Sequence, residues 1–137
     1  DFVQTGCPCG NPSFEDCCKP YLTGDATAKD ALSLMRSRYS AYVTENEPYL
    51  RETWVNENRP SGTIIEKNSP VKWLGLKIIR HQEHENRAVV EFIASYKQNG
   101  RMQKLHEISR FIKKNEPIAQ VLQLCRKSLP LQLFVEA

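Results

Sequence analysis

Between residues 28 and 46 the apolar positions Leu32, Met35, Tyr39, Tyr42 and Val43 recur every three or four residues, one stripe of an amphipathic helix. Thr27 is the expected N-cap, and Asp30 puts a negative charge in the first turn, where the helix dipole favours it. A short second helix is expected from about Pro48 to Trp54, with proline in its first turn. Residues 56–70 are rich in Asn, Pro, Ser and Gly and read as a loop, with a short strand at Thr63–Glu66.

Beyond the loop the pattern becomes that of strands. Trp73–Arg80, Ala88–Lys97 and Arg101–Lys113 are the expected strands, the first two separated by a polar turn, His81–Asn86. Asn99-Gly100 separates the second and third, the strongest short hairpin signal. Pairing around it sets Gln98 opposite Arg101, so Val90 faces Ser109, Phe92 faces Glu107 and Ala94 faces Leu105. With Tyr96 and Phe111 these residues make one apolar face, onto which the helix stripe must pack. The opposite face carries Glu91, Ile93, Ser95, Lys97, His106, Ile108, Arg110 and Ile112. Ile118–Cys125 is expected to add a last strand beside Arg101–Lys113, with helix as the competing reading because alternation is not strict. The tail from Leu131 to Val135 is apolar and is expected to pack across the sheet or to form a homodimer contact. The fold class expected is α+β: a helix packed on a curved antiparallel sheet.

Glu107 sets a carboxylate on the apolar face, which is costly unless it is paired. Arg36 and Arg38 flank the helix stripe and are the expected partners, because an arginine fork can hold a carboxylate in two bonds. Arg36, Arg38, Tyr39, Glu107 and Ser109 are thus the candidates for a polar pocket, with a structural ion pair as the plainer reading. His106 lies on the other face from Glu107 and is not its acid–base partner. His81 and His84, beside Glu83 and Glu85, could recruit a metal but are read as a solvated turn. Cys125 stands alone and reads as a small core residue.

Composition narrows the classes. The chain has 137 residues, 40% hydrophobic and 26% charged, which suits one globular domain and excludes wholesale disorder, fibres and a membrane bundle. The formal charge is +3, unevenly spread: residues 1–70 hold seven Lys/Arg against ten Asp/Glu, and residues 71–114 hold ten against four. Lys77, Lys97, Lys104 and Arg110 could form a basic outer sheet face for a polyanion, against a simply solvated one. There is no Ser-His-Asp set, no phosphate-binding glycine loop and no zinc-protease motif. The first residues show no basic segment followed by an apolar one, so no secretory signal is expected there.

Four of the five cysteines, Cys7, Cys9, Cys17 and Cys18, lie within twelve residues as C-x-C-x7-C-C. Zinc takes four ligands at tetrahedral corners and prefers thiolate in structural sites. Two close cysteine pairs joined by a short loop with Gly10 and Pro12 can supply all four. A disulfide cluster is the alternative for a secreted protein. Without a visible signal, clustered cysteines favour metal. Four protein ligands would close the shell and make the site structural, with no position for a catalytic water.

The run from Cys7-Pro8-Cys9-Gly10 to Phe14-Glu15-Asp16-Cys17-Cys18 resembles the SEC-C motif, a zinc knuckle. The chain beyond Cys18 resembles the YchJ-like family of bacterial proteins, through Pro20-Tyr21-Leu22, Leu34 to Tyr42, Trp54, Trp73 to Leu76, Val90 to Tyr96 and His106 to Phe111. The resemblance implies a zinc knuckle over 1–24, a nuclear-transport-factor-2-like, cystatin-like cone domain over 25–125 and a divergent tail over 126–137. It implies structural zinc and cytoplasmic location. The function expected is a protein- or ligand-binding module, with a protein partner taken through the knuckle. Nucleic acid or ribosome is a weaker expectation, and no membrane is expected. A small-molecule enzyme built around Glu107 is the alternative; enzymatic activity is the less expected of the two.

Overall fold

The computed structural model describes residues 6–54, 61–65, 71–115 and 120–127, with side chains through Lys113. In chain order they form α1 (Lys19–Thr23), α2 (Ala31–Val43), α3 (Glu47–Glu52), β1 (Val71–His84), β2 (Arg87–Gln98), β3 (Arg101–Asn115) and β4 (Gln120–Lys127). The four strands make one antiparallel sheet in the order β1-β2-β3-β4. The fold is α+β, with α2 across one sheet face and the cysteine cluster before it. No helix among the described residues is long and apolar enough to cross a membrane.

The β2–β3 hairpin has the expected register: Val90 opposite Ser109, Phe92 opposite Glu107, Ala94 opposite Leu105. Asn99 (φ 54) and Gly100 (φ 79) both take positive φ, as a tight two-residue turn between right-twisted strands requires. Alternate residues of β2 are buried from Ala88 to Tyr96, and Phe111 joins them from β3.

β1 departs from expectation. It runs through His84, so the turn is only Glu85-Asn86, and His81 and His84 are exposed strand residues. Ladder bonds come from the backbone, so polar side chains do not end a strand that extends past the core. Leu74 and Ile79 have no place in the β1–β2 register, and the pairing shifts at each. Such bulges bend a strand and increase its twist. They leave Leu74 43% and Ile79 41% exposed.

β4 is described from Gln120 to Lys127 and pairs with β3 from Asn115↔Gln120 to Ser109↔Lys127, so the expected last strand is present; Ile118 and Ala119 lie outside the described residues. The side chain of Cys125 and the tail after Lys127 lie outside the described residues, as does Glu66 of the strand expected at 63–66. Thr63, Ile64 and Ile65 are not strand, although Ile64 is buried.

Helix α2 is capped by Asp30 rather than Thr27: its carboxylate accepts from Ser33 N at 2.8 Å. Glu83 reaches over from β1 to accept from Ala31 N at 3.0 Å. Two orphan donors of the first turn are thereby satisfied. The buried surface of α2 is wider than the expected stripe. Met35 and Tyr39 are buried, as are Ala31, Leu34, Arg38 and Ala41, while Val43 is exposed. The helix is packed on three sides, which a single stripe cannot describe. Toward the sheet, Tyr39 and Tyr42 meet the Trp73 ring at 6.0 and 6.2 Å. Toward α3, the Ser37 and Tyr49 hydroxyls bond at 2.7 Å. The third side carries the cysteine cluster.

Candidate metal centre

Two tight turns present the cysteines in pairs. In the first, Gly10 N donates to the Cys7 carbonyl at 2.9 Å and Cys7 N to the Asn11 carbonyl at 2.9 Å. Gly10 has φ 112, a conformation that a side chain would strain. In the second, Cys17 N and Lys19 N both donate to the Phe14 carbonyl, at 3.2 and 3.1 Å. The four sulfurs converge: all lie within 4.8 Å of one another. Cys9 Sγ is 3.6 Å from Cys17 Sγ, which is 3.7 Å from Cys18 Sγ. All four are free thiols, and Cys7, Cys9 and Cys18 are buried. Sulfurs at tetrahedral corners about 2.3 Å from a zinc ion would be about 3.8 Å apart, so the donor set and spacing fit such an ion.

The electrostatics of the cluster are those of crowded sulfurs sharing protons. The Cys9 thiol is brought down to about 4, chiefly because the Cys18 thiol donates to it; burial opposes this, while Asn11 N–H, Cys7 and Arg36 assist. Cys18 is pushed up by that same bond and then by burial. Cys17 is pushed up chiefly by burial.

The surrounding donors were not foreseen from sequence. Asn11 Nδ2 donates to Cys17 Sγ at 3.1 Å. Arg36 Nη1 donates to the Cys9 carbonyl at 3.2 Å and lies 3.8 Å from Cys9 Sγ. Ser40 Oγ stands 3.6 Å from Cys7 Sγ. Arg36 and Ser40 are four apart on α2 and therefore share a face. That i, i+4 pair of donors was the available signal, hidden because both lie off the apolar stripe. The knuckle is thus bonded to the helix of the cone domain.

The other candidates lie deeper. Glu107 is 0% exposed, and Tyr39 and Ser109 are also buried. Arg36, expected to meet Glu107, turns instead to the cysteines. Two residues are about 200° around a helix, so Arg36 and Arg38 cannot both face the sheet. Arg38 is 2% exposed and donates Nη1 to the Leu50 carbonyl at 3.0 Å and to Thr53 Oγ1 at 2.6 Å. Its guanidinium carbon sits 4.9 Å over the Trp54 ring. Burial lowers the pKa of Arg38, with Tyr42 and Tyr49 opposing. Burial raises the Tyr42 phenol to about 12; Arg38 opposes and the charge of Glu107 adds to the rise. Tyr42 therefore stands in the fields of both Arg38 and Glu107, in place of the expected bidentate pair. On the other sheet face, Glu91 accepts from Arg80 Nε at 2.8 Å and meets His106 Nε2 at 2.6 Å.

Residues 30–119 match the family model described as the YchJ middle NTF2-like domain. A UPF0225 protein of Bordetella pertussis is 47% identical over 116 residues, covering 81% of this chain and 86% of that protein. A UPF0225 protein of Ralstonia nicotianae is 46% identical over 110 residues, covering 78% and 76%. Among solved structures, a SEC-C motif containing protein from Psychrobacter arcticus superposes with a TM-score of 0.77 at 26% identity, covering 95% of this chain and 85% of that one. Another, from Rhodopseudomonas palustris, gives a TM-score of 0.78 at 29% identity, covering 91% and 98%.

Proposed function

The chain belongs to the YchJ family of SEC-C motif proteins, and from that premise we propose that Cys7, Cys9, Cys17 and Cys18 hold a structural zinc ion in a non-catalytic binding module. The observation that carries this is the convergence of four free sulfurs within 4.8 Å. Four thiolates close the zinc shell, so the ion shapes a surface and activates no water. Held by Arg36 and Ser40, the knuckle is a rigid epitope on the cone domain, and a protein partner docks on it. A reducing compartment such as the bacterial cytoplasm suits four unpaired thiols. Glu107 is a poor general base here, because such a base must be reached by substrate, and this carboxylate is fully buried.

Metal analysis of the protein purified under reducing conditions should find one zinc per chain, with sulfur-only ligation by X-ray absorption. Disulfides in place of metal, or nitrogen and oxygen ligands, would refute the site. Capture from bacterial lysate tests the docking. A partner held by the intact chain should be lost from Cys17→Ser; equal retention would move the interface off the knuckle.

A further inference from the structure

The strands sort their charges by face. Across β1, β2 and β3 the outward rows are Lys72–Lys97–Met102, Gly75–Ser95–Lys104, Lys77–Ile93–His106, Arg80–Glu91–Ile108, Gln82–Val89–Arg110 and His84–Arg87–Ile112. Every row holds at least one Lys or Arg. Lys72, Lys77, Arg87, Lys97, Lys104 and Arg110 are all exposed, and none has a carboxylate beside it in its row. Glu91 is the one carboxylate in the rows, and it is taken up by Arg80 and His106. The other acids of these strands face inward: Glu83 bonds the start of α2, and Glu107 is buried. A chain of formal charge +3 thus shows one face far more basic than its total.

We propose that this outer sheet face binds double-helical RNA through its phosphates. Charge complementarity names a polyanion, and the geometry narrows it. The rows span about 40 Å along β1 at roughly 3.3 Å per residue, with strands about 4.8 Å apart, so the cations form a two-dimensional array. The large aromatic side chains of these strands (Trp73, Phe92, Tyr96, Phe111) belong to the inward rows, and the outward rings are only the imidazoles of His84 and of His106, the latter held by Glu91, a poor platform for stacking successive single-stranded bases. The face of a four-stranded sheet is too broad for the major groove of B-form DNA, which admits a helix or a two-stranded ribbon. The minor groove of A-form RNA is wide and shallow, with phosphates along its rims, and is read by shape and backbone. A second copy of this chain would set cations against cations.

The test is fluorescence anisotropy with the full chain and a labelled RNA duplex of about two turns, titrated at several salt concentrations. Log affinity should fall linearly with log salt, with a slope of about −3.6 to −5.4 if some four to six phosphates are neutralised. The same sequence as DNA duplex, the single-stranded RNA and anionic lipid vesicles should each bind at least about tenfold more weakly. The double variant Lys77→Glu/Lys104→Glu should lose more than about tenfold in affinity and flatten the salt slope. Arg87→Gln/Arg110→Gln, at the far end of the face, serves if the first variant fails to fold. Lys29→Glu, outside the face, should bind as the parent does. The proposal is overturned by no RNA binding at low salt, by DNA, single strands or vesicles binding as tightly as the duplex RNA, or by either folded double variant binding as the parent.

Discussion

Replacing Arg38 by Met, similar in length but uncharged, tests the buried polar cluster. The guanidinium makes two hydrogen bonds from Nη1, to the Leu50 carbonyl and Thr53 Oγ1, and hydrogen bonds to charged groups contribute about 1.5–3 kcal/mol each. Stacking on Trp54 at 4.9 Å adds up to about 2 kcal/mol where water is excluded. Opposing these is the desolvation of a buried charge, several kcal/mol, and burial does lower the Arg38 pKa. The expected net loss is about 1–3 kcal/mol, because both hydrogen-bond partners of the guanidinium are neutral and relief of its desolvation offsets part of the lost contacts. Against a total of about 5–15 kcal/mol, that is a large fraction of the stability. Urea denaturation followed by tryptophan fluorescence measures it. Glu107→Gln and the double variant complete a cycle. Because Tyr42 stands in both fields, the double variant should be less destabilised than the sum by about 0.5–3 kcal/mol. A loss below about 1 kcal/mol for Arg38→Met would refute the accounting. Additivity within about 0.5 kcal/mol would show that Arg38 and Glu107 do not communicate.

On the proposed zinc site, Arg36→Ala should give up the ion to a competing chelator about 10–100 times more readily, the usual consequence of removing an outer partner of a metal ligand; an unchanged affinity would make the Arg36 contact incidental. The carboxyl of Glu91 ionises below the ordinary carboxylate range, first because of the His106 bond, which burial opposes, and then because of Arg80. Its contribution is therefore complete above the unfolded carboxylate pKa and lost as pH falls through the lowered value. Glu91→Gln should flatten the acid side of the stability profile, measured by urea midpoints at successive pH values; a superimposable profile would show that the Arg80–Glu91–His106 contacts are idle.

Local rules made much of this protein legible. The β2–β3 register comes from Asn99-Gly100 and strict alternation, because a tight turn fixes pairing and a one-residue slip would turn every apolar side chain outward. The cysteine spacing announced a cluster because two turns of a few residues suffice to bring four sulfurs together. Glu107 read as buried for the same reason as Phe92 beside it: both occupy the face that α2 must cover. What only the tertiary structure decided depends on partners distant in the chain. Glu83 caps α2 from fifty-two residues away. Leu74 and Ile79 are bulges because β1 must bend with its neighbour, a demand that no local pattern contains. Arg36 and Arg38 looked alike beside one stripe, but α2 has three packed sides, so one arginine went to the sulfurs and the other under Trp54 and α3. Periodicity records that a helix has a buried side; which neighbour fills each remaining side is settled when the elements meet.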